Sequence, residues 1–237
     1  MRKRLDISAY LVVGSENTLD RPVASIVEAA IIAGFTCIQI RSKVASAREL
    51  IDLVKQSADV IARTNPNVTL LVDDRLDVVL AARSMDIKVD GIHVGQSDIP
   101  VDICRKFLGD DAIIGLSART VDLIDYVKTA DVSDIDYFGA GPLHETPTKP
   151  DCGLAPDGSI ITHDFDEFTQ LARVSPLPIV VGGGVKVSDL PRLAATGVDG
   201  FFVVSAVAGA DDPFTAAREL VDTWKNNFMK PNNCRRT

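Results

Sequence analysis

Eight short runs of aliphatic and β-branched residues recur along the chain, each followed by a longer segment of helical periodicity. The runs fall at 7–13, 36–41, 68–73, 90–94, 113–117, 136–140, 178–182 and 200–204. Amphipathic stretches such as Val23–Ala33, Arg48–Arg63 and Val121–Thr129 lie between them, and a last one runs from Asp212 to about Phe228. Strands joined by helices pair in parallel, because a parallel neighbour needs a long crossover. Over 237 residues without a break in composition, the pattern predicts one (β/α)8 TIM barrel spanning 1–237, with short basic tails at about 1–5 and 229–237. Apolar residues make up 46% of the chain and aromatics only 5%, so the core must be built from Val, Ile, Leu and Ala. Helix-covered parallel sheets need that composition. An open doubly wound sheet would use the same elements, but it would carry a dominant glycine-rich turn after the first strand. Val13-Gly14-Ser15 is not one.

A net charge of −8 argues against a nucleic-acid surface. The basic residues Arg2, Lys3 and Arg4 precede a short apolar run, but Asp6 interrupts it and no small-residue cleavage site follows, so no signal peptide is expected. No stretch reaches 18 apolar residues, which predicts no membrane span. Cys37, Cys104, Cys152 and Cys234 show neither metal nor redox spacing. The expectation is a cytoplasmic protein acting on small molecules, compatible with a homo-oligomer.

In a barrel of this kind the chemistry sits at the carboxyl ends of the strands. The second run ends in Gln39, Arg41 and Lys43, at a spacing that a strand places on one face. An amide, a guanidinium and an ammonium in a row suit a diphosphate and a polar ring; an exposed strand end with ordinary charges is the alternative. The third run ends in Asp73-Asp74-Arg75, and Asp98 follows the fourth. Carboxylates from neighbouring strand ends can share one hard cation, and Mg²⁺ is commonly held by one or two carboxylates plus substrate phosphates. Asp98-Ile99-Pro100 also reads as a helix N-cap. Ser117 ends the fifth run, placed to donate to a phosphate oxygen or to satisfy its turn. Thr146, Thr148 and Lys149 follow the sixth, inside a Pro- and Gly-rich stretch from about Leu143 to His163. Gly182-Gly183-Gly184 and Val204-Ser205 end the last two, where barrels often hold a phosphate on backbone N–H groups; a plain tight turn is the alternative for the glycines. His93, His144 and His163 show no ligand spacing, and His93 reads as an inward-facing, hydrogen-bonded filler.

With these residues in hand, the chain resembles the thiamine-phosphate synthase (thiamine-phosphate pyrophosphorylase) family over nearly its whole length. The resemblance rests on Gln39-Ile40-Arg41-Ser42-Lys43, Asp74-Arg75 and Gly91-Ile92-His93-Val94-Gly95-Gln96-Ser97-Asp98. It continues through Gly115-Leu116-Ser117, Gly139-Ala140-Gly141-Pro142, Thr146-Pro147-Thr148-Lys149, Gly182-Gly183-Gly184 and Val203-Val204-Ser205-Ala206. Each motif is weak alone; their common order and spacing is specific. The resemblance implies a (β/α)8 barrel that joins hydroxymethylpyrimidine diphosphate to a thiazole phosphate, releasing diphosphate and giving thiamine phosphate. It implies that Gln39, Arg41 and Lys43 hold the pyrimidine diphosphate together with Ser117 and Lys149. Of these, Arg41, Ser117 and Lys149 would act on the leaving group. Asp74 and Asp98 would bind Mg²⁺, while Thr146, Thr148, Gly184, Val204 and Ser205 would hold the thiazole phosphate.

Three positions depart from the family pattern. Asp73 stands where Asn is usual and places a carboxylate beside the diphosphate. Ser42 stands where Glu is usual, and Arg119 replaces a common His. A related thiazole tautomerase uses a His at that last place and lacks much of the diphosphate and metal set, so the pattern here favours the synthase. A divergent paralogue, weakly active on a related substrate, is one alternative. A non-catalytic barrel that binds thiamine phosphates is another.

Overall fold

Residues 5–145 and 158–228 are described in the computed structural model, and within them all eight expected runs are strands. They are β1 (Ala9–Val13), β2 (Cys37–Ile40), β3 (Thr69–Asp73), β4 (Gly91–Val94), β5 (Ile113–Ser117), β6 (Tyr137–Ala140), β7 (Ile179–Val181) and β8 (Gly200–Val203). Each pairs in parallel with the next, and β8 returns to β1 through Ala9↔Phe201, Tyr10↔Phe202 and Leu11↔Val203. The sheet is therefore a closed barrel in sequence order, as the alternating pattern predicts.

Around it lie α1 (Val23–Ala33), α2 (Ala47–Thr64), α3 (Leu76–Ser84), α4 (Val101–Leu108), α5 (Leu123–Thr129), α6 (Phe165–Val174), α7 (Leu190–Ala195), a short α8 (Ser205–Ala208) and α9 (Pro213–Asn227). Local chemistry sets several starts. Ser46 and Glu49 satisfy each other's backbone N–H groups at the head of α2. Asp212 accepts from the N–H groups of Phe214 and Thr215 at the head of α9, with Pro213 in the first turn. Trp224 of α9 packs on Phe201 of β8 at 5.4 Å between ring centroids.

Strand parity divides the core in two. Leu11, Val13, Ile38, Ile40, Leu70, Val72, Ile92 and Val94 face outward and are sealed beneath the helices. Tyr10, Val12, Cys37, Leu71, Ile113, Tyr137 and Val180 face the barrel axis. Gln39, flanked by Ile38 and Ile40, must then point inward, and it is 3% exposed.

The interior is narrow, so large rings there need small residues opposite. A Cβ added to Gly115 of β5 would lie 2.2 Å from Cζ of Tyr137, and one added to Gly182 would lie 2.2 Å from the Phe202 ring. Gly115→Ala is accordingly expected to cost roughly 1–3 kcal/mol, the usual range for overpacking a core. Urea unfolding measures this; an unchanged midpoint would mean that the Tyr137 ring moves aside freely.

Candidate functional site

The carboxyl ends of the strands surround a cavity of about 690 Å³. Gln39, Arg41 and Lys43 enter it from the end of β2, as the every-second-residue spacing predicts. All three converge on Asp73 at the end of β3. Gln39 Nε2 donates to Asp73 Oδ1 at 2.7 Å, Arg41 Nε lies 3.1 Å from Oδ2, and Lys43 Nζ lies 3.6 Å from the same oxygen. Burial, and then the neighbouring Asp74, push the Asp73 carboxyl up to about 7, with Arg41 and Lys43 pulling the other way.

Asp74 follows with φ 59°, in the left-handed region that Asp tolerates better than most side chains. Its backbone N–H donates to the His93 carbonyl at 2.8 Å, which ties this turn to β4. The Asp74 carboxylate is ion-paired with the Lys43 ammonium. Burial disfavours its charge, but hydrogen bonding to Lys43, Asp73 and Asp98 holds it below the usual carboxylate range. Asp98 is raised in turn, by burial and then by Asp74. Asp98 does not cap a helix. Pro100 occupies the N-cap of α4, and Asp98 Oδ2 instead accepts the Gly95 N–H at 2.9 Å, which aims the carboxyl at Asp74. The helix-cap reading of Asp98 therefore fails, and the paired-carboxylate geometry is present.

Three carboxylates face two cations on this wall, so its fixed charges alone give no excess for an anion. Among the described residues no group of three His, Cys, Asp or Glu side chains is placed to hold a metal ion. The Asp74–Asp98 pair has the donor chemistry of a hard cation whose other ligands are phosphate oxygens or water.

Ser117, at the end of β5, lines the same cavity. Gln96 Nε2 holds its carbonyl at 2.7 Å, and His93 Nε2 lies 3.0 Å from its Oγ. On the opposite wall the chain turns through Gly183 (φ 83°) and Gly184 (φ 69°) after β7. A Cβ on Gly183 would lie 2.4 Å from the Cβ of Pro142, so this turn is closed to larger residues. His144 fastens the turn from outside, donating its N–H to the Gly183 carbonyl at 2.9 Å and pairing its Nε2 with Asp189 at 2.9 Å. Val204 and Ser205, at the start of α8, complete this wall. Tyr10, Val12, Val180 and Phe202 form a largely apolar floor.

The thiamine monophosphate synthase family profile matches residues 9–207, which takes in every strand of the barrel. The chain belongs to this family. It is 38% identical to a thiamine-phosphate synthase of Corynebacterium efficiens over 222 residues, covering 93% of this chain and 96% of that protein. It is 37% identical to the thiamine-phosphate synthase of Corynebacterium jeikeium over 94% of this chain and 97% of the relative. A solved thiamine phosphate pyrophosphorylase from Pyrococcus furiosus superposes with a TM-score of 0.77 at 26% identity, covering 94% of this chain and 98% of that one. The 3-hexulose-6-phosphate synthase of Salmonella typhimurium, at 19% identity and a TM-score of 0.66, shares the fold alone.

For this member of the thiamine monophosphate synthase family, ten expected site residues line this one cavity together: Gln39, Arg41, Lys43, Asp73, Asp74, Asp98, Ser117, Gly184, Val204 and Ser205. Thr146, Thr148 and Lys149 lie outside the described residues, as do Cys152, Cys234 and the tails at 1–4 and 229–237. Sequence reasoning passed over Glu16. It accepts from Ser42 Oγ at 2.8 Å and from the Lys43 N–H at 2.9 Å, ordering the segment that carries Lys43. A carboxylate thus stands against position 42 although Ser replaces the usual Glu there. Arg119 lies over the Tyr126 ring at 4.7 Å and pairs with Asp122. Tyr10 and Tyr137 were also passed over. Their signal was parity: each sits on the inward register of its strand.

Asp73 holds its proton more tightly than an ordinary carboxyl, so with divalent cations chelated the wild type loses stability as pH rises from about 4 to 7 and is level above that. Asp73→Asn escapes this loss. Its stability advantage is expected to grow across that window, read as the difference in urea midpoints at the two ends. A constant difference would mean that Arg41 and Lys43 keep Asp73 ionised throughout.

Proposed function

We propose that this chain is a thiamine-phosphate synthase, a transferase that joins 4-amino-2-methyl-5-hydroxymethylpyrimidine diphosphate to 4-methyl-5-(2-phosphoethyl)thiazole with release of diphosphate. The observation that carries this reading is one cavity with two unlike anion walls. Gln39, Arg41 and Lys43 stand with paired carboxylates on one side, and the Gly182–Gly184 turn with Ser205 stands on the other. A diphosphate suits the first wall and a monoester phosphate the second, with the two rings meeting over the apolar floor. The described residues include no helix long and apolar enough to cross a membrane, and a cytoplasmic setting accords with that.

In this reading the bond between the pyrimidine methylene carbon and the diphosphate oxygen breaks, and its electron pair leaves with the diphosphate. The electron-rich aminopyrimidine carries the resulting cation. The thiazole nitrogen then donates its lone pair to the methylene carbon and becomes the thiazolium. No protein nucleophile is required. Arg41 and Lys43 stabilise charge growing on the leaving group, joined by Ser117 and by Lys149, which follows β6 in the sequence. Gln39 orients the pyrimidine, and Thr146, Thr148, Gly184, Val204 and Ser205 hold the thiazole phosphate. Asp74 and Asp98 would hold Mg²⁺, which neutralises diphosphate charge when bound. The floor formed by Tyr10, Val12, Val180 and Phe202 keeps water from the methylene cation.

Incubating the purified protein with both substrates and Mg²⁺ tests the function: thiamine phosphate and diphosphate should appear in equal amounts. A protein that binds thiamine phosphate but releases no diphosphate would be a binding barrel instead. Activity is expected to require a divalent cation, and Asp74→Ala or Asp98→Ala to nearly abolish it; full turnover in excess chelator would remove the metal from the reading.

Asp73 competes for the groups that the diphosphate needs, since Gln39, Arg41 and Lys43 all contact it. An ionised carboxylate cannot donate to a phosphate oxygen, and two like charges about 4 Å apart repel by roughly 4 kcal/mol at an effective dielectric near 20. Asp73→Asn is therefore expected to tighten binding of pyrimidine diphosphate and to lower the Mg²⁺ concentration required, as titration calorimetry across a Mg²⁺ series would read. Weaker binding with a higher Mg²⁺ requirement would make Asp73 a metal ligand.

A further inference from the structure

Ser117, His93, Tyr137 and Tyr10 form one hydrogen-bonded line that starts at Ser117 on the cavity rim and runs beneath the cavity to the buried Tyr10 of its floor. His93 Nε2 lies 3.0 Å from Ser117 Oγ, His93 Nδ1 lies 2.8 Å from Tyr137 Oη, and Tyr137 Oη lies 2.9 Å from Tyr10 Oη. Both tyrosines are buried, and burial, the largest influence on each, pushes their phenols well above the usual range, so both remain neutral O–H groups. Two glycines make room for the line. A Cβ on Gly115 would overlap the Tyr137 hydroxyl end, and one on Gly139 would lie 3.0 Å from Cε1 of His93. Phenylalanines at 10 and 137 would fill the same volume without burying hydroxyls, which are costly to bury.

A hydroxyl carries one proton, and a neutral imidazole carries one on either nitrogen. The line is therefore ordered in one of two directions. Ordered inward, Ser117 donates to His93 Nε2, His93 Nδ1–H donates to Tyr137, and the serine proton is turned from the cavity. Ordered outward, Tyr10 donates to Tyr137, Tyr137 donates to Nδ1, and Nε2–H donates to Ser117 Oγ. The serine O–H is then left to point at whatever occupies the cavity. Cys37, beside Tyr10 at the inner end, is weak both as donor and as acceptor and does not choose between them. An anion held by Arg41 and Lys43 does choose, because it can only accept.

We propose that His93 is a positioning residue: held by Tyr137 with its proton on Nε2, it donates to Ser117 Oγ and aims the serine hydroxyl proton at the leaving diphosphate. This rests on the reading of Ser117 as a diphosphate ligand. A serine that accepts one hydrogen bond becomes a better donor in the next, since bonds in a chain polarise one another. With the anion bound, the line thus keeps a neutral group oriented toward charge that grows during bond breaking.

The ordering is tested without turnover by ¹⁵N NMR of histidine-labelled protein at pH 8 in the presence of inorganic diphosphate and Mg²⁺, with His93 assigned through loss of its signals in His93→Gln. A proton on Nε2 and none on Nδ1 is expected; a proton on Nδ1 overturns the proposal, because Tyr137 could no longer donate there. The coupling is tested by a double-mutant cycle. Tyr137→Phe, a single-atom deletion, is expected to lower single-turnover rates about threefold to tenfold, with KM for the thiazole phosphate unchanged. In the Ser117→Ala background it should have no further effect. Independent, multiplying losses would overturn the positioning role while leaving Ser117 as a ligand. Full turnover by Ser117→Ala would strike that ligand reading, and the positioning role with it. Should the wild type make no thiamine phosphate at all, the proposed function falls, and the tautomer measurement still decides the ordering.

Discussion

A strand sends alternate side chains to opposite faces, and closing eight strands into a ring makes one face a narrow interior. Everything else in this molecule follows from that constraint. Outward positions are apolar, aliphatic except for Phe138 and Phe201, because helices cover them all round. Inward positions must share a small volume, so Gly115, Gly139 and Gly182 stand opposite Tyr137, His93 and Phe202. At the top of the ring the same parity carries past the last paired residue. Gln39 is still within β2, whereas Arg41 and Lys43 lie beyond its end yet face the same cavity. The binding wall is the interior of the barrel continued into its loops.

Charge on that wall is arranged around Asp73. Its carboxyl gathers an amide, a guanidinium and an ammonium around one point at the end of β3. Such an arrangement pre-organises the cations and at the same time competes with the ligand. Asp74, turned by its left-handed backbone toward Asp98, adds carboxylate charge that the two cations cannot balance. The opposite wall, formed by the Gly182–Gly184 turn with Val204 and Ser205, carries no side-chain charge at these positions. The two walls of the cavity therefore differ in kind, one lined by charged side chains and the other by a glycine turn.

Periodicity made the barrel legible. Each strand bound falls within two residues of where the aliphatic runs place it, and α1 coincides with its amphipathic stretch at Val23–Ala33. The charged residues were legible for the same reason, since spacing by two on a strand end has a single structural meaning. Asp98 was not. Asp-Ile-Pro is a good local helix start, but Pro100 takes the cap and tertiary geometry draws the carboxyl to Gly95. Glu16 was hidden because its partners, Ser42 and the Lys43 N–H, are brought to it only by the pairing of β1 with β2.

His93 marks the limit of such reading. Its position in β4 made it an inward, hydrogen-bonded residue, and it is one. A histidine satisfied on both nitrogens passes for inert filling until its partners are known. Tyr137 lies 44 residues away along the chain and Ser117 lies 24 away, so no local pattern links the three. They meet because β4, β5 and β6 are adjacent in the ring, with Gly115 and Gly139 across from the rings. A polar line threaded through a largely apolar interior costs desolvation at every step. Its outer end meets the cavity at Ser117, on the same rim as Arg41, Lys43 and the paired carboxylates. That is the one place where an oriented neutral donor adds something those charged groups do not supply.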